Sequence, residues 1–178
     1  MIIIIMFLVI ILIIGILFYG TYFGLLTYKD LILKKLAAVD ARLMGRQKSV
    51  LVFLDAAQET MQSEEELFYT IRKIITEINE LPKRWNNNED RFKLENQLDV
   101  ELNTLFNTAL KNQNIKSNVY LSKYLQDFID SQLILPSAVK EFNETLRAYK
   151  NLINSPIGQI LAPKMHINCS FVEYYIPE

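Results

Sequence analysis

Residues 32–57 read ILKKLAAVDARLMGRQKSVLVFLDAA. Within this stretch Ile32, Leu36, Val39, Leu43, Arg46, Val50, Phe53 and Ala57 succeed one another at alternating spacings of four and three. That period places side chains along one stripe of an α-helix, as in a coiled-coil seam. The register continues through Thr60 and Glu64 to Leu67, Ile71, Ile74, Ile78 and Leu81, where Pro82 stops it. Its two polar positions, with Ser63 and Glu66 spaced as a capping box, predict a break into helices over 29–61 and 63–81, with one continuous helix as the alternative.

A third helix follows the polar segment 82–90, PKRWNNNED, with its seam at Leu98, Leu102, Leu105 and Ala109. It ends in KNQNIKSN, whose Ser117 or Asn118 can cap a fourth helix. The fourth seam is Leu121, Leu125, Phe128, Gln132, Leu135, Val139, Phe142, Leu146, Tyr149 and Ile153, with Pro136 off it and expected to kink the helix or open a new one. Four amphipathic helices on short links predict an all-α chain with an elongated antiparallel four-helix bundle over 29–155. Residues 156–178 carry Pro156, Gly158, Pro163 and Pro177, so they are expected as an irregular apolar tail. Nothing after Ala162 is expected to belong to the core.

Upstream, residues 1–28 contain no charged side chain and run MIIIIMFLVIILIIGILFYGTYFGLLTY. As a helix this is about 40 Å long against a hydrocarbon core of about 30 Å, so it predicts one transmembrane anchor. A cleaved signal peptide needs a basic start, a shorter apolar run and a small-residue cleavage site, whereas here Tyr19, Tyr22 and Tyr28 form an interfacial aromatic belt. Lys29, Lys34, Lys35, Arg42, Arg46 and Lys48 follow the run and no basic side chain precedes it. The positive-inside rule then puts the downstream domain in the cytoplasm, on a single-pass protein of the cytoplasmic (inner) membrane. Lys29, Lys34, Lys35 and Arg42 are candidate ligands for anionic lipid headgroups. A single cysteine, Cys169, fits a domain without disulfides.

Three patches carry a family resemblance. Val39, Asp40, Leu43, Arg46 and Val50 follow the anchor; Ile115, Lys116, Ser117 and Asn118 precede a helix with Leu125 and Gln126; and Ala138, Phe142, Asn143, Leu146, Tyr149 and Ile153 lead into Ser155, Pro156, Gly158 and Ala162. Together they resemble the LemA family of bacterial membrane proteins, of which this chain looks like a divergent member. It departs from the family pattern at Leu51 and Val52, at Lys150 and at Ser155. The resemblance implies a short N-terminal anchor, a cytoplasmic four-helix bundle and no known catalytic role.

The residues offer little chemistry. No P-loop, dinucleotide turn, H-E-x-x-H, paired C-x-x-C or G-x-S-x-G is present, and no cofactor or small-molecule substrate is implied. His166 and Cys169 are too few for a zinc site and read as ordinary tail residues. Glu64, Glu65 and Glu66 point around a helix instead of converging, and acids in a first turn suit the helix dipole. A formal net charge of −1 with no basic face disfavours nucleic acid.

Arg46 and Gln132 are the polar residues on otherwise apolar seams. Arg46 either snorkels to water or is buried against a carboxylate, and antiparallel counting from the membrane nominates Glu141 and Glu144 as partners. The functional expectation is a non-enzymatic, membrane-tethered helical module that presents its bundle to a protein partner in the bacterial envelope. A self-assembling membrane scaffold is the alternative, and an enzyme using His166 and Cys169 a remote one.

Overall fold

The computed structural model describes residues 2–81, 89–167 and 171–174, and every regular element among them is helical. The order is α1 (Ile2–Ala57), a short 3-10 turn (Gln62–Glu64), α2 (Glu65–Glu80), α3 (Glu89–Lys111), α4 (Gln113–Ser117), α5 (Val119–Asn154) and α6 (Pro156–Lys164).

α1 is a single helix of 56 residues. Its most apolar 18-residue window has a mean hydropathy of 3.4 and is nowhere buried against the chain, so α1 is long and apolar enough to cross a membrane. No joint separates the expected anchor from the expected first bundle helix. Leu25 is already fully buried, and a Cβ on Gly24 would stand 3.0 Å from Leu152 Cδ2. The free apolar segment therefore ends several residues before position 28. From Ile2 to Leu17 the side chains are exposed, and the seam Ile32, Leu36, Val39, Leu43, Arg46, Val50, Phe53 and Ala57 is buried without exception.

The chain does break after Ala57, whose carbonyl accepts from both Thr60 and Met61 N–H at 3.0 and 2.9 Å. Ser63, however, is not the cap of the second helix. It lies inside the 3-10 turn, its hydroxyl reaches only Glu64 Oε1 at 3.3 Å, and no side chain caps α2. Asn118, by contrast, caps α5, its Oδ1 accepting from Tyr120 and Leu121 N–H at 3.0 and 3.2 Å. α5 runs unbroken through Pro136. Proline costs one backbone bond there, but Phe128, Leu135 and Val139 bury on either side of it and hold the axis together.

α1 and α5 form the principal pair and run antiparallel, as the matched contacts Gly24 with Leu152, Lys35 with Glu141 and Phe53 with Phe128 require. α2 and α3 form a second pair, tied to α1 by Arg72–Asp55 at 2.6 Å and Arg91–Asp40 at 2.8 Å. Those ties place α2 and α3 beside α1 only from about Asp40 outward. One apolar cluster, around Phe53, Ile71, Leu102 and Phe128, fills that outer half. A second, around Leu25, Val39, Phe142 and Tyr149, fills the half nearer the apolar segment.

That second cluster is closed by the C-terminal residues, which overturns the expectation of a dispensable tail. Residues 156–164 are helical, because Pro156 is pre-set for a first helical position and Ser155 Oγ accepts from Gly158 N–H at 3.1 Å. Gly158 is required at this corner, since a Cβ would collide with the Leu152 carbonyl. Further on, Phe171 and Tyr174 are buried, with Tyr174 stacked on Phe92 at 4.4 Å. Asn143 clips Tyr174 from both sides, donating to its carbonyl at 2.6 Å and accepting from its N–H at 3.0 Å. The reason is geometric: α2 and α3 are too short to cover the whole α1–α5 groove, and the tail supplies the missing apolar surface. Tyr175, Cys169 and the asparagines at 86–88 lie outside the described residues.

Phe171→Ala should therefore lower stability by about 3–5 kcal/mol, as for other buried aromatic truncations, read by thermal unfolding followed by circular dichroism. An unchanged midpoint would remove the tail from the core.

Candidate functional site

The seam of α1 delivers Arg46 to the interior, where nothing of it is exposed. Its two terminal nitrogens fork between two acids of α3. Nη2 donates to Glu95 Oε2 at 2.6 Å, and Nη1 donates to Asp99 Oδ1. Both acids are one helical turn apart on the face of α3 that carries Phe92, Leu98 and Leu102, so the same amphipathic period that buries the leucines buries the carboxylates.

Secondary contacts complete the group. Gln47 Nε2 donates to Glu95 Oε1 at 2.9 Å, and Tyr174 Oη donates to Asp99 Oδ2 at 3.3 Å. Gln132 of α5, half-buried, accepts from Arg46 Nη1 at 3.4 Å. At the rim, Arg91 bridges Asp40 at 2.8 Å and approaches Glu95 at 3.9 Å. α1, α3, α5 and the tail, through Tyr174, thus meet in one charged cluster.

Burial pushes both Glu95 and Asp99 above the usual carboxylate range, with attraction to Arg46 only partly offsetting it. Burial alone would lower Arg46, but Asp99 and Glu95 outweigh that and hold the guanidinium charged. Burial first, and then Asp99, push the Tyr174 hydroxyl up, so it serves as a donor. One cation shared by two desolvated acids leaves the group with a surplus of negative charge, which favours uptake of a proton.

The expected partners of Arg46 are corrected by this geometry. Glu141 is exposed and pairs with Lys35 at 2.5 Å, which lowers its pKa; Glu144 lies 4.0 Å from Lys140. Counting heights along an antiparallel pair placed acids on α5, whereas the acids that reach Arg46 stand on α3. A signal was present in the sequence: extending the Leu98 seam backward by three and then three reaches Glu95 and Phe92. An acid on a seam is the counterpart of an arginine on one.

The remaining candidates do not converge. Lys29, Lys34 and Arg42 are exposed, and Arg42 stands about 20 Å along the helix from Lys29, beyond the reach of a headgroup layer that Lys29 would touch. Glu64 is half-buried, with Glu65 and Glu66 exposed, and His166 is exposed at a φ of 51°. Among the described residues no three His, Cys, Asp or Glu side chains gather as metal ligands. No protein-family model matches the chain, and no curated protein matches it either. The resemblance to LemA proteins therefore rests on its three residue patches alone.

With Arg46, Glu95 and Asp99 all buried, the cluster is suited to positioning helices. Arg46→Ala leaves two buried acids without a counter-charge and should cost about 3–5 kcal/mol at neutral pH. Because the folded state binds protons to Glu95 and Asp99 more readily than the unfolded chain does, stability held at low pH is lost as pH rises through their raised values. In Arg46→Ala this dependence should steepen, so mild acid partly restores the variant. Denaturant midpoints of both proteins across the acidic range provide the check, and a flat profile for the variant contradicts a desolvated acid pair.

Proposed function

We propose that the protein is a non-enzymatic, membrane-tethered helical module: α1 anchors it in the cytoplasmic membrane of a bacterial envelope, and an elongated four-helix bundle made of α1, α2, α3 and α5 stands in the cytoplasm and presents itself to a protein partner. The observation that carries this reading is the continuity of α1, which passes from unpacked apolar surface into a buried seam with no linker between. A tether of this form fixes the bundle at a set height and angle, which suits a platform for partners better than it suits a freely swinging domain.

The likeness to LemA proteins supports the same reading. So does the outer end of the molecule, where a cleft of about 960 Å³ opens between α1 and α2 beside Met61, Phe68, Tyr69 and Arg72. Its position, far from the anchor, is where a soluble partner would meet the bundle. Self-assembly is a second reading, favoured by Leu33, Met44 and Val52, which stay exposed along the outer side of α1.

In a Cys169→Ser background, a cysteine at Tyr120, which is exposed on the outer end of α5, reports the side of the membrane. It should resist an impermeant thiol reagent in intact cells and react after lysis. Equal labelling in both would reverse the orientation. Recovery of the chain in the soluble fraction would end the tether reading altogether.

A further inference from the structure

We propose that α6 is a second membrane contact, an interfacial helix whose outer face rests in the headgroup layer of an anionic bilayer beside the point where α1 enters it. The proposal rests on the reading of α1 as a membrane anchor.

Position comes first. α5 descends antiparallel to α1 until Leu152 meets Gly24, and α6 begins directly after, packed on both helices. Below that level Thr21 and Phe18 are partly covered, and Ile2 to Leu17 are exposed. From Ile2 to Tyr22 the helix rises about 30 Å, the thickness of a hydrocarbon core. If that segment fills the core, its upper boundary falls at the height where α6 starts.

Chemistry agrees with position. Gly158, Leu161, Ala162 and Met165 turn α6 toward the body, leaving Pro156, Gln159, Ile160 and Pro163 outward at helical spacing. Ile160, the large aliphatic side chain of this outward face, is 49% exposed. Exposed Tyr19, Tyr22 and Phe23 stand on α1 near the same level, the belt expected at an interface. α6 carries no acid, and Lys164 closes it.

The neighbouring charge points the same way. Among the described residues at this end, Glu141 is engaged by Lys35 and Glu173 by Arg147. Lys29, Lys34, Lys150 and Lys164 add basic side chains suited to phosphate headgroups. A short helix whose outer face is mostly apolar and ends in a lysine is built to lie on such a surface, not to span it.

The test uses the full chain with Cys169→Ser, reconstituted in vesicles containing phosphatidylglycerol and carrying an environment-sensitive fluorophore at a single introduced cysteine. Three sites are compared: Ile160, Ile10 within the apolar segment, and Val119 at the outer end of α5, about 50 Å from α6. Lipids spin-labelled near the headgroup should quench the Ile160 site severalfold more than the Val119 site, and lipids labelled deep in the chain should quench the Ile10 site. If the Ile10 site is quenched while the Ile160 site behaves like the Val119 site, being open to aqueous iodide, then α6 does not touch the bilayer and the proposal falls with the anchor intact. If the Ile10 site escapes quenching, the anchor reading itself fails. Ile160→Asp with Lys164→Glu, probed at Gln159, should lose the shallow quenching while retaining the helical signal; retention of the quenching would also overturn the proposal.

Discussion

A guanidinium taken fully out of water persists only with its charge answered and its donors occupied. Glu95 and Asp99 answer the charge of Arg46 and occupy its two terminal nitrogens, leaving Nε as its one unpartnered nitrogen among the described residues, and because the fork has a fixed geometry, it specifies where α3 must lie against α1 to within a fraction of a helical turn. Apolar contacts cannot do this. Leucine seams slide by a turn at modest cost, whereas a slip here would leave a buried cation and two buried anions apart. The cluster therefore sets the register between the α1–α5 pair and the α2–α3 pair, and the two apolar clusters on either side of it fill in around that constraint.

Tyr174 extends the same constraint to the end of the chain. Its hydroxyl touches Asp99 while its backbone is clipped by Asn143, so the tail is joined to the charged group and to α5 at once. Phe92 lies between, stacked on Tyr174 and edge-on to Phe142. The half of the body nearest the apolar segment is thereby completed by Phe171 and Tyr174, and Tyr174 links it to the charged group beyond.

Periodicity made the long helices legible. Every seam position from Ile32 to Ala57 is buried, and so are Leu98, Leu102, Leu105 and Ala109, because repeated apolar spacing reflects a single face meeting a single neighbour. What escaped were features decided by meetings between distant segments. Ser63 had the right spacing for a cap but was drawn into a 3-10 turn. The tail had prolines that suggested irregularity, yet Pro156 starts a helix and Phe171 fills a groove whose existence follows only from the shortness of α2 and α3. Arg46 announced itself as an anomaly on its seam. Of its partners only Glu95 left a trace, on the backward extension of the Leu98 seam, and one-dimensional spacing does not say which neighbouring helix an arginine will face.

The unbroken course of α1 has a further geometric consequence. At about 100° per residue, eighteen residues return a helix to the same azimuth, so Ile14, Ile32 and Val50 share one line along it. Ile32 and Val50 look into the body, toward α5 and its neighbours, and Ile14 looks the same way within the apolar segment. The shaft therefore rises along one edge of the body instead of through its middle. The other described helices pack to one side of α1, and α6 is the one that starts beside the end of its exposed apolar segment.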